Sequence, residues 1–181
     1  MDCPISIVTK LNSNSYIINY DDAFKYINMH SMGSKFAILI NAGFTSQGKS
    51  TFSEKLSGKK HDIGNKLKFK TIGALITYCG TVQNIIDKFC IKQISTSDKN
   101  LHIFNIDTEG INHDKNEPFI EYLFPLIKTC SLVIVFGRTL TDLSIVPLMI
   151  DINHLTGANM ILTFGDVLYD VDDGIDSISY Y

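Results

Sequence analysis

Eight residues limit what this chain can fold into more than any other stretch: Gly43-Phe44-Thr45-Ser46-Gln47-Gly48-Lys49-Ser50, a G-x-x-x-x-G-K-S signature. They follow a nearly continuous apolar run at 36–41 (FAILIN), which reads as a strand buried on both faces. They open a segment of helical composition from 49 to about 56, which Gly58 stops. In that setting each residue type has a task. The glycines let the backbone curl so that successive N–H groups point inward at phosphate oxygens. Lys49 brings a cation to β- and γ-phosphates, the Ser50 hydroxyl suits a hard divalent cation, and the helix N-terminus adds positive potential. Gly43, Phe44, Thr45, Ser46, Gln47, Gly48, Lys49, Ser50 and the next residue, Thr51, are therefore the candidate phosphate-binding set. The plain alternative is a glycine-rich turn carrying a surface lysine.

Three further segments extend this pattern in chain order. Residues 101–110 (LHIFNIDTEG) read as an apolar strand that ends near Asp107, with Gly110 three residues on. In P-loop NTPases such an aspartate holds Mg²⁺, often through water. The D-x-x-G form is that of GTPases, where the glycine N–H can sense the γ-phosphate. Thr71, in Lys70-Thr71-Ile72-Gly73, sits between the first helix and the next strand. A threonine there can bind Mg²⁺ and the γ-phosphate and order its loop only in the triphosphate state. Residues 161–166 (ILTFGD) read as a strand whose Thr163 and Asp166 stand where a carboxylate can accept from guanine N1–H and N2–H₂. Lys49, Thr71 and Glu109 are the candidate catalytic residues, and Ser50, Thr71 and Asp107 the candidate metal ligands.

Periodicity supplies the frame. Residues 3–9 and 15–19 read as a hairpin through Asn12-Ser13-Asn14. Asp21 or Asp22 is expected to cap a helix over 23–29. Strands follow at 36–41, 74–78, 101–106, 132–136 and 160–164. Residues 82–89 read as a helix or a loop excursion. A helix over 117–129 has Pro118 in its first turn and Pro125 inside, where it should kink or split the helix. Asp142 is expected to cap a helix reaching residue 151 or 154. Strands that alternate with helices give an α/β sheet covered on both sides, with ligands at the C-terminal strand ends.

Composition narrows the function classes. With 45% hydrophobic and 19% charged residues in 181, the chain should form a core and fold as one domain. A net charge of -3 offers no overall basic field for nucleic acid. No apolar run nears the ~20 residues of a membrane helix. The start, MDCPISIVTK, resembles no secretory signal, and Asp2 stands where myristoylation needs glycine. The expectation is a cytoplasmic protein with Cys3, Cys79, Cys90 and Cys130 as free thiols, scattered without metal spacing. His30, His61, His102, His113 and His154 also lack such spacing. Lys59, Lys60, Lys66, Lys68 and Lys70 form a basic loop, read as solvated, with contact to phosphates or acidic lipid as the other option. Residues 170–174 (DVDDG) lack the spacing of a calcium loop and read as part of an acidic tail over 167–181.

These motifs in this order resemble the GTPase domain of guanylate-binding proteins, in the dynamin superfamily, with the atlastin-like branch as the nearest competitor. G-F-T-S-Q-G-K-S with Lys55-Leu56-Ser57-Gly58 is similar to that family's G-L-Y-R-T-G-K-S and K-L-A-G. Thr71-Ile72-Gly73 is similar to its T-K-G, Asp107-Thr108-Glu109-Gly110 is identical to its D-T-E-G, and Thr163-Phe164-Gly165-Asp166 resembles its T-L-R-D. The resemblance runs from about residue 4 to about 170. It implies an α/β fold: a P-loop NTPase three-layer sandwich of GTPase type with a mainly parallel sheet, preceded by an N-terminal hairpin and helix over 1–34 and C-terminally truncated. It also implies a single GTPase domain over 1–181 that binds GTP and GDP and hydrolyses GTP with Mg²⁺. Glu109 would then link the loop to the water network. Homodimerisation through the nucleotide face and peripheral membrane contact are further implications. Two departures point to slow hydrolysis. Ser46 stands where the family places an arginine finger, a group worth ~10³–10⁵ in rate. Phe69 stands where it places a water-orienting serine. A nucleotide-binding module without significant hydrolysis is the alternative.

Overall fold

The structure, a computed structural model, describes residues 3–12, 15–60, 72–92, 98–111, 118–139 and 143–164. Among them the elements run β1 (Ile5–Asn12), β2 (Ser15–Ile18), α1 (Tyr20–Ser31), β3 (Phe36–Gly43), α2 (Lys49–Ser57), β4 (Ala74–Thr81) and α3 (Val82–Lys88). They continue with β5 (His102–Thr108), α4 (Pro118–Lys128), β6 (Leu132–Gly137), α5 (Ile145–Thr156) and β7 (Met160–Phe164). The strands form one sheet in the order β2-β1-β4-β5-β3-β6-β7. The pairs β3–β5, β3–β6 and β6–β7 are parallel. The pairs β1–β2, β1–β4 and β4–β5 are antiparallel. The expected N-terminal hairpin is present, and it extends the antiparallel side of the same sheet.

This is the P-loop GTPase fold in three layers. The central strands are buried on both faces because helices cover both, which is why they read as apolar runs. Ile38 and Ile40 of β3 join Phe104, Ile106, Val133 and Val135 in a core completed by Tyr26 and Ile27 of α1, Leu123 and Ile127 of α4, and Leu148 and Ile152 of α5. The alternate residues Ala37 and Leu39 pack with Ile103, Cys79, Leu56 and Phe52, beneath α2 and α3.

Several boundaries differ from the sequence reading for identifiable reasons. Helix α1 begins at Tyr20 with Asn19 as its cap, so Asp21 and Asp22 lie inside the first turn, where they favour the positive helix end instead of capping it. Residues 82–88 are helical: the Thr81 hydroxyl accepts from the Asn84 N–H while Asn84 bonds back to the Thr81 N–H, a reciprocal capping box. Strand β5 runs two residues past its expected end, which places Asp107 within the ladder. Pro118 is the first residue of α4, and Pro125 lies inside that helix. Asp142 lies outside the described residues, and α5 starts after Ser144.

Candidate functional site

The G-x-x-x-x-G-K-S segment turns from the end of β3 into α2, as its strand–turn–helix setting requires. Gly48 caps α2 in the left-handed region (φ +83), and Gly58 closes it at φ +71 with its N–H on the Glu54 carbonyl at 2.8 Å. Ser46 also adopts a positive φ, +64. A Cβ on Gly43 would collide with the Phe136 carbonyl of β6, so glycine lets β6 pass close to the loop. Within the loop, Gln47 Oε1 accepts from the Phe44 N–H at 3.1 Å. The first α2 bond runs from the Phe52 N–H to the Gly48 carbonyl at 2.9 Å, so the N–H groups of Lys49, Ser50 and Thr51 precede it at the positive end of the helix.

Lys49 is 5% exposed. Its Nζ donates to the Phe44 carbonyl at 2.7 Å and to the Gly43 carbonyl at 3.2 Å, which holds the ammonium against the loop backbone. Burial lowers its pKa to about 8, against the opposing pull of the Asp107 and Glu109 carboxylates. Asp107 is fully buried and stands opposite Asn41 in the parallel β3–β5 register. Ser50 and Asp107 are hydroxyl and carboxylate oxygens, the hard donors that Mg²⁺ prefers, and few of them are needed because Mg²⁺ keeps waters and binds substrate phosphates. The donor set fits that ion.

A buried polar network under the loop escaped the sequence reading. Asn41 Nδ2 donates to Ser53 Oγ at 2.8 Å and to Asn105 Oδ1 at 3.2 Å. Asn105 Nδ2 returns a bond to Asn41 Oδ1 at 3.2 Å. Ser53 Oγ lies 2.7 Å from Asn105 Oδ1 and 3.1 Å from the Lys49 carbonyl. Thr108 Oγ1 donates to the Asn41 carbonyl at 2.5 Å. Asn41, Ser53 and Asn105 are all 0% exposed. The network joins β3 and β5 to the first turns of α2, which fixes the helix that carries Lys49 and Ser50. Its available signal was an asparagine inside each of two largely apolar strands.

The D-T-E-G loop closes on the other side. A Cβ on Gly110 would collide with the Thr45 backbone. The Thr45 N–H donates to the Ile111 carbonyl at 3.2 Å and the Ile111 N–H to the Gly43 carbonyl at 3.1 Å, and Phe44 pairs with Ile111 as an isolated bridge. Glu109 Oε2 accepts from the Gly73 N–H at 2.9 Å and from the Tyr16 O–H at 3.2 Å. The register also carries Gly43 to Phe136 and Phe136 to Thr163, so Thr163 lies two strands from the loop on the same sheet edge. Gly43, Asp107, Gly110 and Thr163 are thus gathered at the C-terminal ends of the parallel strands. Thr71, Asp166, and with them Phe69 and Gly165, lie outside the described residues.

No sequence-family profile matches the chain, and no curated protein sequence does. Its fold is similar to that of a variant of Era from Aquifex aeolicus bound to GDP·AlF4⁻, with a TM-score of 0.51 and 16% identity over 72% of this chain and 40% of that one. It is also similar to a structure described as showing that dimerization is important for the GTPase activity of the chloroplast translocon components atToc33 and psToc159. There the TM-score is 0.50 and the identity 12%, over 80% of this chain and 56% of that one. This chain therefore spans 40% and 56% of the structures it matches. The likeness is one of fold, that of a GTPase domain, and it does not single out the guanylate-binding branch.

Proposed function

We propose that this chain binds GTP and GDP with Mg²⁺ and hydrolyses GTP slowly to GDP. The observation that carries this reading is Lys49: a lysine buried at a helix N-terminus, held on two loop carbonyls beside a buried aspartate. Burying an ammonium is costly unless an anion compensates it, and the phosphates of a nucleotide are the anion this loop is shaped for. Residues Gly43 to Thr51 would cradle the phosphates, with Lys49 on the β- and γ-oxygens. Mg²⁺, held by Ser50 and Thr71 with Asp107 behind it, would neutralise charge between the β- and γ-phosphates. Gly110 would meet the γ-phosphate, and Thr163 and Asp166 would read the guanine edge.

Slow turnover follows from two departures in sequence from the resembled family. Ser46 carries no cation to offset charge on the transferring phosphoryl group. Phe69 stands where the resembled family places a water-orienting serine, and it has no hydroxyl. In this reading the protein works in the cytoplasm, stands nearest to the guanylate-binding GTPases, and pairs with a second copy through the nucleotide face. Among the described residues no helix is long and apolar enough to cross a membrane.

The test is competition on the Mg²⁺-loaded protein with a fluorescent GTP analogue, combined with phosphate-release kinetics. The expected result is displacement by GTP and GDP, much weaker displacement by ATP, and release that is slow but lost in Lys49→Ala. Equal displacement by ATP would refute the guanine assignment. Tight binding with release no faster than in Lys49→Ala would leave a binding module in place of an enzyme.

A further inference from the structure

The D-T-E-G loop is tied on two sides. On one, Gly110 and Ile111 rest on the phosphate loop at Thr45 and Gly43. On the other, Glu109 reaches to the start of β4 and to the N-terminal hairpin. Its Oε2 takes the Gly73 N–H and the Tyr16 O–H, its Oε1 lies 3.9 Å from Lys10 Nζ, and its own N–H donates to the Gly73 carbonyl at 2.7 Å. Tyr16 and Lys10 face each other across β1 and β2, with Lys10 Nζ 5.2 Å from the Tyr16 ring centroid. Gly73 is pressed on the same hairpin: its φ is +74, and a Cβ there would collide with the Val8 carbonyl. The Tyr16 ring packs on Tyr122 of α4 with centroids 5.2 Å apart.

We propose that Tyr16 and Lys10 of the hairpin are positioning residues for the phosphate site, holding Glu109 against Gly73 so that the neighbouring Gly110 stands preset for the third phosphate of a nucleoside triphosphate. The proposal rests on the nucleotide-binding reading above and adds to it a reason for the hairpin. Gly110 is the chain neighbour of Glu109, so whatever fixes the Glu109 carboxylate limits where the Gly110 N–H can point. A carboxylate that accepts two N–H or O–H bonds is held more firmly than one that accepts a single neutral bond. Presetting the loop removes part of the ordering cost of binding. A diphosphate has no group at that position and gains nothing from it. The hairpin therefore favours triphosphate over diphosphate without touching either.

Tyr16→Phe removes one hydroxyl and keeps the ring. The experiment measures Mg²⁺-dependent affinity for GDP and for a non-hydrolysable GTP analogue in the wild type, Tyr16→Phe, Glu109→Ala and the double variant, with amide hydrogen exchange on the ligand-free proteins. Tyr16→Phe should lower triphosphate affinity about threefold to tenfold, the worth of one such bond, and leave GDP affinity within about twofold. The Gly73 and Glu109 amides should exchange faster. The effect should vanish on the Glu109→Ala background, since the two residues act as one unit. Equal weakening of both nucleotides, or unchanged exchange at Gly73 and Glu109, would overturn the proposal. A wild-type chain that binds neither nucleotide would overturn the nucleotide reading and the phosphate role with it, whereas altered exchange would still support the Tyr16–Glu109 tie alone.

Discussion

Lys49 concentrates the electrostatic cost of the ligand-free site. Its pKa of about 8 lies below the ordinary 10.5, and burial is the larger cause. A phosphate beside it favours the ammonium and pulls the pKa back up, so binding takes up a proton when the pH is at or above about 8. Calorimetric titration with GTP at pH 8.5 in two buffers of different ionisation enthalpy should show that uptake, and affinity should fall as pH rises beyond 8. No uptake would mean that Lys49 is already charged or far from the phosphates. The same shift has an opposite sign for the ligand-free fold. Between about pH 8 and 10.5 the unfolded chain holds more protons than the folded one, so ligand-free stability gains a contribution as pH rises through that window. Gly110 makes a second residue-scale prediction. Its conformation is ordinary for any residue, but a side chain would strike the Thr45 backbone. Gly110→Ala should therefore push the D-T-E-G loop off the phosphate loop. The expected outcome is a triphosphate affinity at least tenfold weaker, with a smaller loss for GDP, read in parallel titrations.

At the scale of elements, the site depends on how α2 is fastened. Two strands and a helix meet at Asn41, Asn105 and Ser53, and every bond there is shielded from water. Replacing Asn105 by leucine leaves Asn41 Oδ1 buried without its donor, which should cost about 1–3 kcal/mol in urea unfolding and weaken nucleotide binding by moving Lys49. Ser53→Ala, which removes one hydroxyl, should cost less. The elements themselves were largely legible. The run at 36–41, the signature after it and Gly58 marked β3, the loop and α2, because apolar periodicity and glycine caps are local signals. The network was not legible, because two asparagines in apolar strands reveal their partnership only once β3 and β5 pair. Residues 82–88 were ambiguous for a related reason: the helix depends on the Thr81–Asn84 capping box, which periodicity does not register.

For the whole molecule, the order β2-β1-β4-β5-β3-β6-β7 explains how distant segments share one corner. The hairpin was readable as two strands, but nothing in its sequence states that it pairs with β4. That pairing brings Lys10 and Tyr16 to Glu109, across a separation of 93 residues for the tyrosine. The loop between β3 and α2 was readable because one motif holds strand, turn and helix together. The proposed guanine half would rest on Thr163, which the β6–β7 register places at the C-terminal strand ends, and on Asp166, beyond the described residues. Every role proposed for the site depends on Lys49 binding the phosphates of a guanine nucleotide. The most direct test is equilibrium titration of the wild type and Lys49→Ala with fluorescent GTP and GDP in Mg²⁺, with circular dichroism to confirm that both are folded. Saturable binding by the wild type and a loss of about a hundredfold or more in a folded Lys49→Ala are the expected result. Equal affinity in the two proteins, or no binding by a folded wild type, would contradict it.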